Sequence, residues 1–313
     1  MQKKSKIVIV GAAGLVGQNL LVELKLQGYV NIVAIDKHSY NLSIVHRLHP
    51  DVRVIEADLA VAGMWGEAFR GAQSVISLNA QISGKSKESF IRNTVEATRR
   101  VLDACIYYHV PFIVHVSTSL VTSSASDNYA NSKRIQETMI RESSVRNCVL
   151  RPTLMFGWFD SKHFGWLFRF MQKSPIFPVP GDGKFMRQPL YERDFCKCIV
   201  KCIEREPNGE MYTIVGETHI DYIDIIRMIK KIKKLHIMIV HIPISLFSFL
   251  LKLYSFFSHT PPFTKDQLVS LTAVDDFHGV DTQVVFGIKQ TPFEDAMQES
   301  YCDPTYSTIV LKR

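Results

Sequence analysis

Short apolar runs alternate along this chain with longer segments of helical periodicity. Ile7 to Val10 (IVIV) are four β-branched residues in succession, the pattern of a strand buried on both faces. Leu15, Leu20, Leu21 and Leu24 then continue at helical spacing until Gly28. The same beat returns: NIVAID ends a second strand at Asp36, VRVIEADL a third at Asp58 and SVISLNA a fourth at Asn79. A helix over FIRNTVEATRRVLDACIYYHV leads to a fifth strand, FIVHVSTS, and a helix over YANSKRIQETMIRES to a sixth, NCVLRPT. This alternation predicts an α/β fold, a doubly wound parallel sheet whose ligands gather at the C-terminal ends of its strands. Beyond Pro152 the beat gives way to FPVPGDGKFMRQPLYERD and then to helices with an occasional short strand such as MYTIVG. The expected division is a nucleotide-binding domain over 1–155, to which a strand and helix near 188–215 return, and a smaller, partly interleaved substrate region over 156–187 and 216–313.

Gly11, Gly14 and Gly17 fall on the turn between the first strand and the first helix. Such a turn joins free backbone N–H groups to the positive end of a helix dipole, and missing side chains let a pyrophosphate approach, as in Rossmann dinucleotide sites. Gly11, Ala13, Gly14, Leu15, Val16 and Gly17 are the expected cofactor contacts, although a tight turn alone would use the same glycines. Asp36 stands 19 positions after Gly17 at the end of the second strand, where a carboxylate accepts both hydroxyls of an adenosine ribose. That places NAD ahead of NADP, with Lys37 beside it softening the repulsion of a 2′-phosphate.

Tyr129 and Lys133 lie four apart, on one helix face. A nearby ammonium and a positive nicotinamide ring would both favour the phenolate, so that Tyr129 can take a proton from a substrate hydroxyl. Upstream, Ser117, Thr118 and Ser119 close the fifth strand; one hydroxyl there can orient the substrate oxygen, while serines also cap helices and fill turns.

Composition narrows the partners. A chain of 313 residues that is 46% hydrophobic buries a sizeable core, and its net charge of +7 suits an anionic ligand. Arg227, Lys230, Lys231, Lys233 and Lys234 crowd one segment, expected to be a solvated helix face, with membrane phospholipid as the alternative; no aromatic interleaving suggests a nucleic-acid partner. The six cysteines form no paired framework, and no apolar signal core precedes the first strand, so a reducing cytoplasm is expected. Cys196, Cys198 and Cys202 lack an obvious fourth ligand, which makes them buried small hydrophobes and leaves no expected metal site. In PISLFSFLLKLYSFFSHTPPFT, Ser245, Ser248, Lys252, Ser255 and His259 form a polar stripe on an apolar helix too short to span a membrane. It is expected to pack against the second region, or else to lie in a membrane surface.

Taken in order, these motifs resemble the extended or atypical short-chain dehydrogenase/reductases, the NAD-dependent epimerase/dehydratase family, over nearly the whole chain. The matching marks are Gly11-x-x-Gly14-x-x-Gly17, Asp36, Asp58-Leu59, Asn79-Ala80, Asn93, the Ser/Thr strand end, Tyr129-x-x-x-Lys133, LRPTLMFG and GDGKFMRQPLYERD. The resemblance implies that Asp58 and Leu59 flank the adenine, Asn79 and Ala80 line the cofactor channel, Lys133 bonds the nicotinamide ribose, and Pro152 to Leu154 pass beside the nicotinamide. It also implies Thr118 as the catalytic hydroxyl partner of Tyr129, with Ser119 beside it at the substrate, and Arg187 at the pyrophosphate of a sugar nucleotide. The alternative for Arg187 is an ion pair with Glu192 or Asp194. Two departures stand out. Only ten residues separate Thr118 from Tyr129, fewer than in the family's sugar-nucleotide epimerases, and Ser119 and Leu120 replace the Asp-Glu pair of its 4,6-dehydratases.

The expected activity is therefore an NAD-dependent epimerase or ketoreductase acting on a nucleotide-linked sugar, with a homodimer as one possible assembly. Two other functions stay open. One is a binding or assembly role, since the C-terminal segment also resembles the nucleotide-binding accessory subunit of respiratory complex I; the other is oxidoreduction of a lipid-like alcohol.

Overall fold

Seven parallel strands form the central sheet of the protein, seen in a computed structural model that describes residues 3–84, 86–123, 127–257 and 277–312, without the side chains of 252 and 254–257. The strands are β1 (Lys6–Val10), β2 (Ile32–Asp36), β3 (Arg53–Glu56), β4 (Ala72–Ser77), β5 (Phe112–Val116), β6 (Arg146–Pro152) and β7 (Met211–Ile214), in the spatial order 3-2-1-4-5-6-7. The doubly wound fold read from the alternation is thus present. β3 and β4 each stop two residues before the expected Asp58 and Asn79, which leaves both on the loops at the strand ends.

β1 is apolar at each of its last four positions because both faces are covered. Ile7 and Ile9 point into one core with Leu20, Leu21 and Leu24 of α1 (Leu15–Leu26), and Val8 and Val10 into the other. The second core holds Ala97, Val101 and Leu102 of helix α3 over 87–107 and Ile140 of α4 (Asn128–Arg141), after α2 (Ser39–Leu48) between β2 and β3. Helix α3 is π-wound across Ile91–Glu96. Two further helices are α5 (His163–Lys173) and α6 (Glu192–Arg205). Cys196, Cys198 and Cys202 of α6 pack beside α1 in the first core, where their thiols replace aliphatic groups.

Among the described residues, the rest of the chain builds three two-stranded ladders and a third core. Met155–Phe156 pairs with Leu190–Tyr191, Met186–Arg187 with Ile220–Asp221, and Ile176–Pro180 with Met238–Ile242. Phe164, Leu167 and Phe168 of α5 meet Ile225, Ile226 and Ile229 of α7 (Tyr222–Ile232) and Phe293 and Met297 of a C-terminal helix. The apolar helix α8 (Ile244–Phe257) corrects one expectation. None of its described side chains is fully buried: Phe247, Ser248 and Leu251 are half-buried, and Leu246, Phe249, Leu250 and Leu253 are exposed. His259 lies outside the described residues. Among those described, no helix is long and apolar enough to cross a membrane.

Candidate active site

The site forms where the order of the strands reverses, between β1 and β4. Val10 lies beside Ile35 on one side and Ser77 on the other, so the turn after β1 opens between the ends of β2 and β4. Gly11 takes a φ of +77°, and a Cβ there would stand 2.7 Å from the Asn79 amide nitrogen. At Gly17 a Cβ would stand 2.3 Å from the Ala12 carbonyl oxygen. Packing within the protein therefore requires these two glycines. Gly14 is different: a Cβ there would meet only the Gly11 oxygen, at an ordinary 3.4 Å. It starts α1 without a side-chain cap, so the first-turn amides, beginning at Leu15 and Val16, stay available to an anion. This cradle fits a dinucleotide pyrophosphate.

Asp36 ties the cradle to β2. Its Oδ2 accepts the Ala13 N–H at 3.0 Å and its Oδ1 the His38 N–H at 3.0 Å, so the carboxylate is oriented with lone pairs left for ribose hydroxyls. Lys37 turns away, donating to Asn93 Oδ1 at 2.8 Å. Asp58 accepts from Arg92 at 2.6 Å and from the Ala60 N–H; burial pushes its carboxyl up, but these bonds and the nearby Lys37 outweigh it and hold the pKa low. Leu59 is buried in the second core and Ala80 half-buried at the strand end. Sequence reasoning missed Arg92, which braces Asp58 and Asn93 together.

Thr118 and Tyr129 come together. The Thr118 side chain faces the Tyr129 phenol, and its Oγ1 caps the turn Ser119–Thr122 by accepting the Leu120 N–H at 3.3 Å. Ser119 opens that turn and is buried. Lys133, only 2% exposed, points to the Val116 carbonyl at 2.7 Å and to Gln136 Oε1 at 2.6 Å. The Tyr129 pKa is raised, by burial first, with Thr118 lowering it and Asp127 raising it. Lys133 itself is pushed down to about 7 by burial, with Glu137 acting in the opposite direction.

Gln136 is the second residue that the sequence did not disclose, although it sits three positions from Lys133. Its buried amide accepts from Lys133 and donates to the Asn79 carbonyl at 2.8 Å and to Thr98 Oγ1 at 2.7 Å. Asn79 Nδ2 also reaches Thr98, at 3.2 Å. One amide thus links the Tyr/Lys helix to the loop after β4.

Pro152 ends β6 beside Ile214, with Leu154 just beyond it against the third core. Arg187 is buried in its short ladder, next to Tyr222. Glu192 and Asp194, the alternative partners, do not pair with it. Asp194 accepts from Lys197 and Thr291, and Glu192 is buried with neither oxygen hydrogen-bonded, its carboxyl lifted to about 8 by burial and then by Asp160.

A family model described as the NAD dependent epimerase/dehydratase family matches residues 7–215. A low-salt glycan biosynthesis protein of Haloferax volcanii is 24% identical over 240 residues, 66% of this chain and 76% of its own. The fold is similar to that of a UDP-glucuronic acid 4-epimerase from Bacillus cereus in complex with NAD, with a TM-score of 0.67 and 23% identity over 76% of this chain and 86% of that one. It is also similar to a dTDP-glucose 4,6-dehydratase from Streptomyces venezuelae with NAD bound, with a TM-score of 0.72 and 18% identity over 94% and 95% of the two chains.

Proposed function

The chain belongs to the NAD dependent epimerase/dehydratase family, and on that footing we propose that it is a 4-epimerase or ketoreductase of a nucleotide-linked sugar, with Tyr129 as acid and base. The observation behind this is the Tyr129 phenol beside Thr118, on the same helix as Lys133 and at the strand ends that frame the glycine cradle. When bound, NAD supplies the acceptor and donor of a hydride. Gly14 and the first turn of α1 would hold its pyrophosphate, and Asp36 would take the ribose hydroxyls; Lys37, engaged by Asn93, would offer little to a 2′-phosphate.

Thr118 bonds the sugar hydroxyl to be oxidised, and Tyr129 removes its proton. Lys133, held by Val116 and Gln136, would give its remaining N–H to the nicotinamide ribose. The names of the similar proteins, a glycan biosynthesis protein and enzymes of UDP- and dTDP-sugars, support a sugar nucleotide, whose pyrophosphate Arg187 would grip with paired charge-assisted bonds. Ser119 and Leu120 after Thr118 supply no carboxylate for a 4,6-elimination, which favours epimerase or reductase chemistry over dehydration.

The purified protein should be incubated with a panel of UDP- and dTDP-sugars, with products and NADH followed together. An epimerase interconverts two sugars without net NADH consumption, and a ketoreductase consumes NADH stoichiometrically. Tight NAD binding with no conversion of any sugar would instead support the accessory role.

A further inference from the structure

The entire net charge of the protein sits in one stretch. Between Ile225 and Lys265 there are seven lysines and arginines and no aspartate or glutamate. The other 30 cations are matched by the chain's 30 anions, so the net +7 is that of these 41 residues. They include the end of α7, the strand Met238–Ile242 and α8.

The same stretch displays an apolar ridge. Leu246, Phe249, Leu250 and Leu253 of α8 are 46, 61, 43 and 45% exposed. At about 100° per residue they fall within an arc of about 100°, with Ser245 and Ser248 to one side. Ile176 and Met238, paired at the start of the ladder leading to α8, are exposed as well. Lys173 and Lys234 are exposed just before those two strands. Some of the charge is shared locally: Lys231 pairs with Glu294 and Arg227 with Asp224, but both are exposed pairs of the weakly held kind.

We infer that α8 and the basic segment before it dock the protein on an anionic phospholipid bilayer. Leu246, Phe249, Leu250 and Leu253 enter the boundary between head groups and acyl chains, with the helix lying in the surface plane. The lysines meet the acidic head groups. Charge selects this occupant: a second copy would bring one strongly cationic stretch against another, whereas an anionic surface neutralises it.

The test is flotation of the full chain with vesicles of phosphatidylcholine alone, or containing about one third phosphatidylserine. The protein should float with the anionic vesicles, less so in high salt, and only weakly with the neutral ones. Phe249→Ser with Leu250→Ser should weaken the partition about tenfold to a hundredfold, from two lost apolar side chains. Lys230→Glu with Lys234→Glu should weaken it at least about 25-fold, at about fivefold per basic residue. Neither pair lies in the core, so melting temperature and NAD affinity should be unchanged. Failure to bind anionic vesicles would overturn the inference, as would binding that the Phe249/Leu250 variant leaves intact. Self-association without vesicle binding, abolished by that same variant, would assign the ridge to a second copy instead.

Discussion

Replacing Gln136 by leucine keeps the volume and removes the amide, at a site with no access to water. The Asn79 carbonyl and the Lys133 ammonium each lose a partner, while Thr98 keeps the Asn79 amide. Lys133 keeps the Val116 carbonyl, so at about 1–3 kcal/mol for the Asn79 carbonyl left unsatisfied and about 1.5–3 kcal/mol for one bond to a charged group, the loss is about 2.5–6 kcal/mol. With about 2.1 cal/mol/K per residue over 313 residues, this lowers Tm by about 4–9 °C. Gln136→Glu separates support of Lys133 from mere packing. A carboxylate in place of the amide still accepts from Lys133 and raises its pKa, so the pH limb of activity that reports Lys133 should move upward. Tm by calorimetry, NAD affinity by titration and the pH profile of kcat/KM are the readouts. A leucine variant with parental Tm and NAD affinity, or a glutamate variant with an unmoved profile, would refute the role assigned to Gln136.

Tyr129→Phe should leave NAD affinity nearly intact and lower turnover by about two to four orders of magnitude, checked by steady-state kinetics beside a binding titration. Asp36→Ala should weaken NAD and improve relative use of NADP, since it removes ribose bonds and one repulsive charge; the ratio of the two dissociation constants tests this. Arg187→Ala should raise the sugar-nucleotide KM about tenfold to a hundredfold with NAD binding unaltered, and Arg187→Lys should recover only part; a lower Tm with a native KM would mark a purely structural arginine. Lys133 has an ordinary value of 10.5 and a folded value of about 7, so the unfolded chain binds more protons between those limits and stability rises with pH across them. The penalty is full below about pH 7, and the stability difference between wild type and Lys133→Met should change by about 3–5 kcal/mol between about pH 6 and about pH 10 in denaturant titrations.

The glycine cradle was legible because its constraints are local. Gly11 needs its positive φ and Gly17 its contact with Ala12, and both follow from a strand turning at once into a helix. The sheet was legible for a related reason: strands covered on both faces are apolar at successive positions, as in β1. Gln136 and Arg92 were not, because their meaning lies in partners far along the chain. Gln136 meets Asn79 across 57 residues, and Arg92 meets Asp58 across 34. The exposure of α8 was hidden differently: an apolar helix looks alike whether a core, a membrane or water faces it, and only the neighbours decide. The orientation of Lys133 belongs with these, since spacing puts it on the face of Tyr129 while Val116 and Gln136 determine where its ammonium points.

The most direct measurement of the central claim is isotopic. A sugar nucleotide selected from the panel, deuterated at the carbon to be oxidised, is mixed with the NAD-loaded protein in a single turnover. Hydride transfer guided by Tyr129 and Thr118 predicts that the label moves to the nicotinamide; an epimerase then returns it to the inverted carbon, and a ketoreductase run in the oxidative direction leaves it on NADH. In Tyr129→Phe the transfer should nearly vanish while NAD remains bound. Label that never reaches the nicotinamide, or that exchanges with water during conversion of the sugar, would contradict the account.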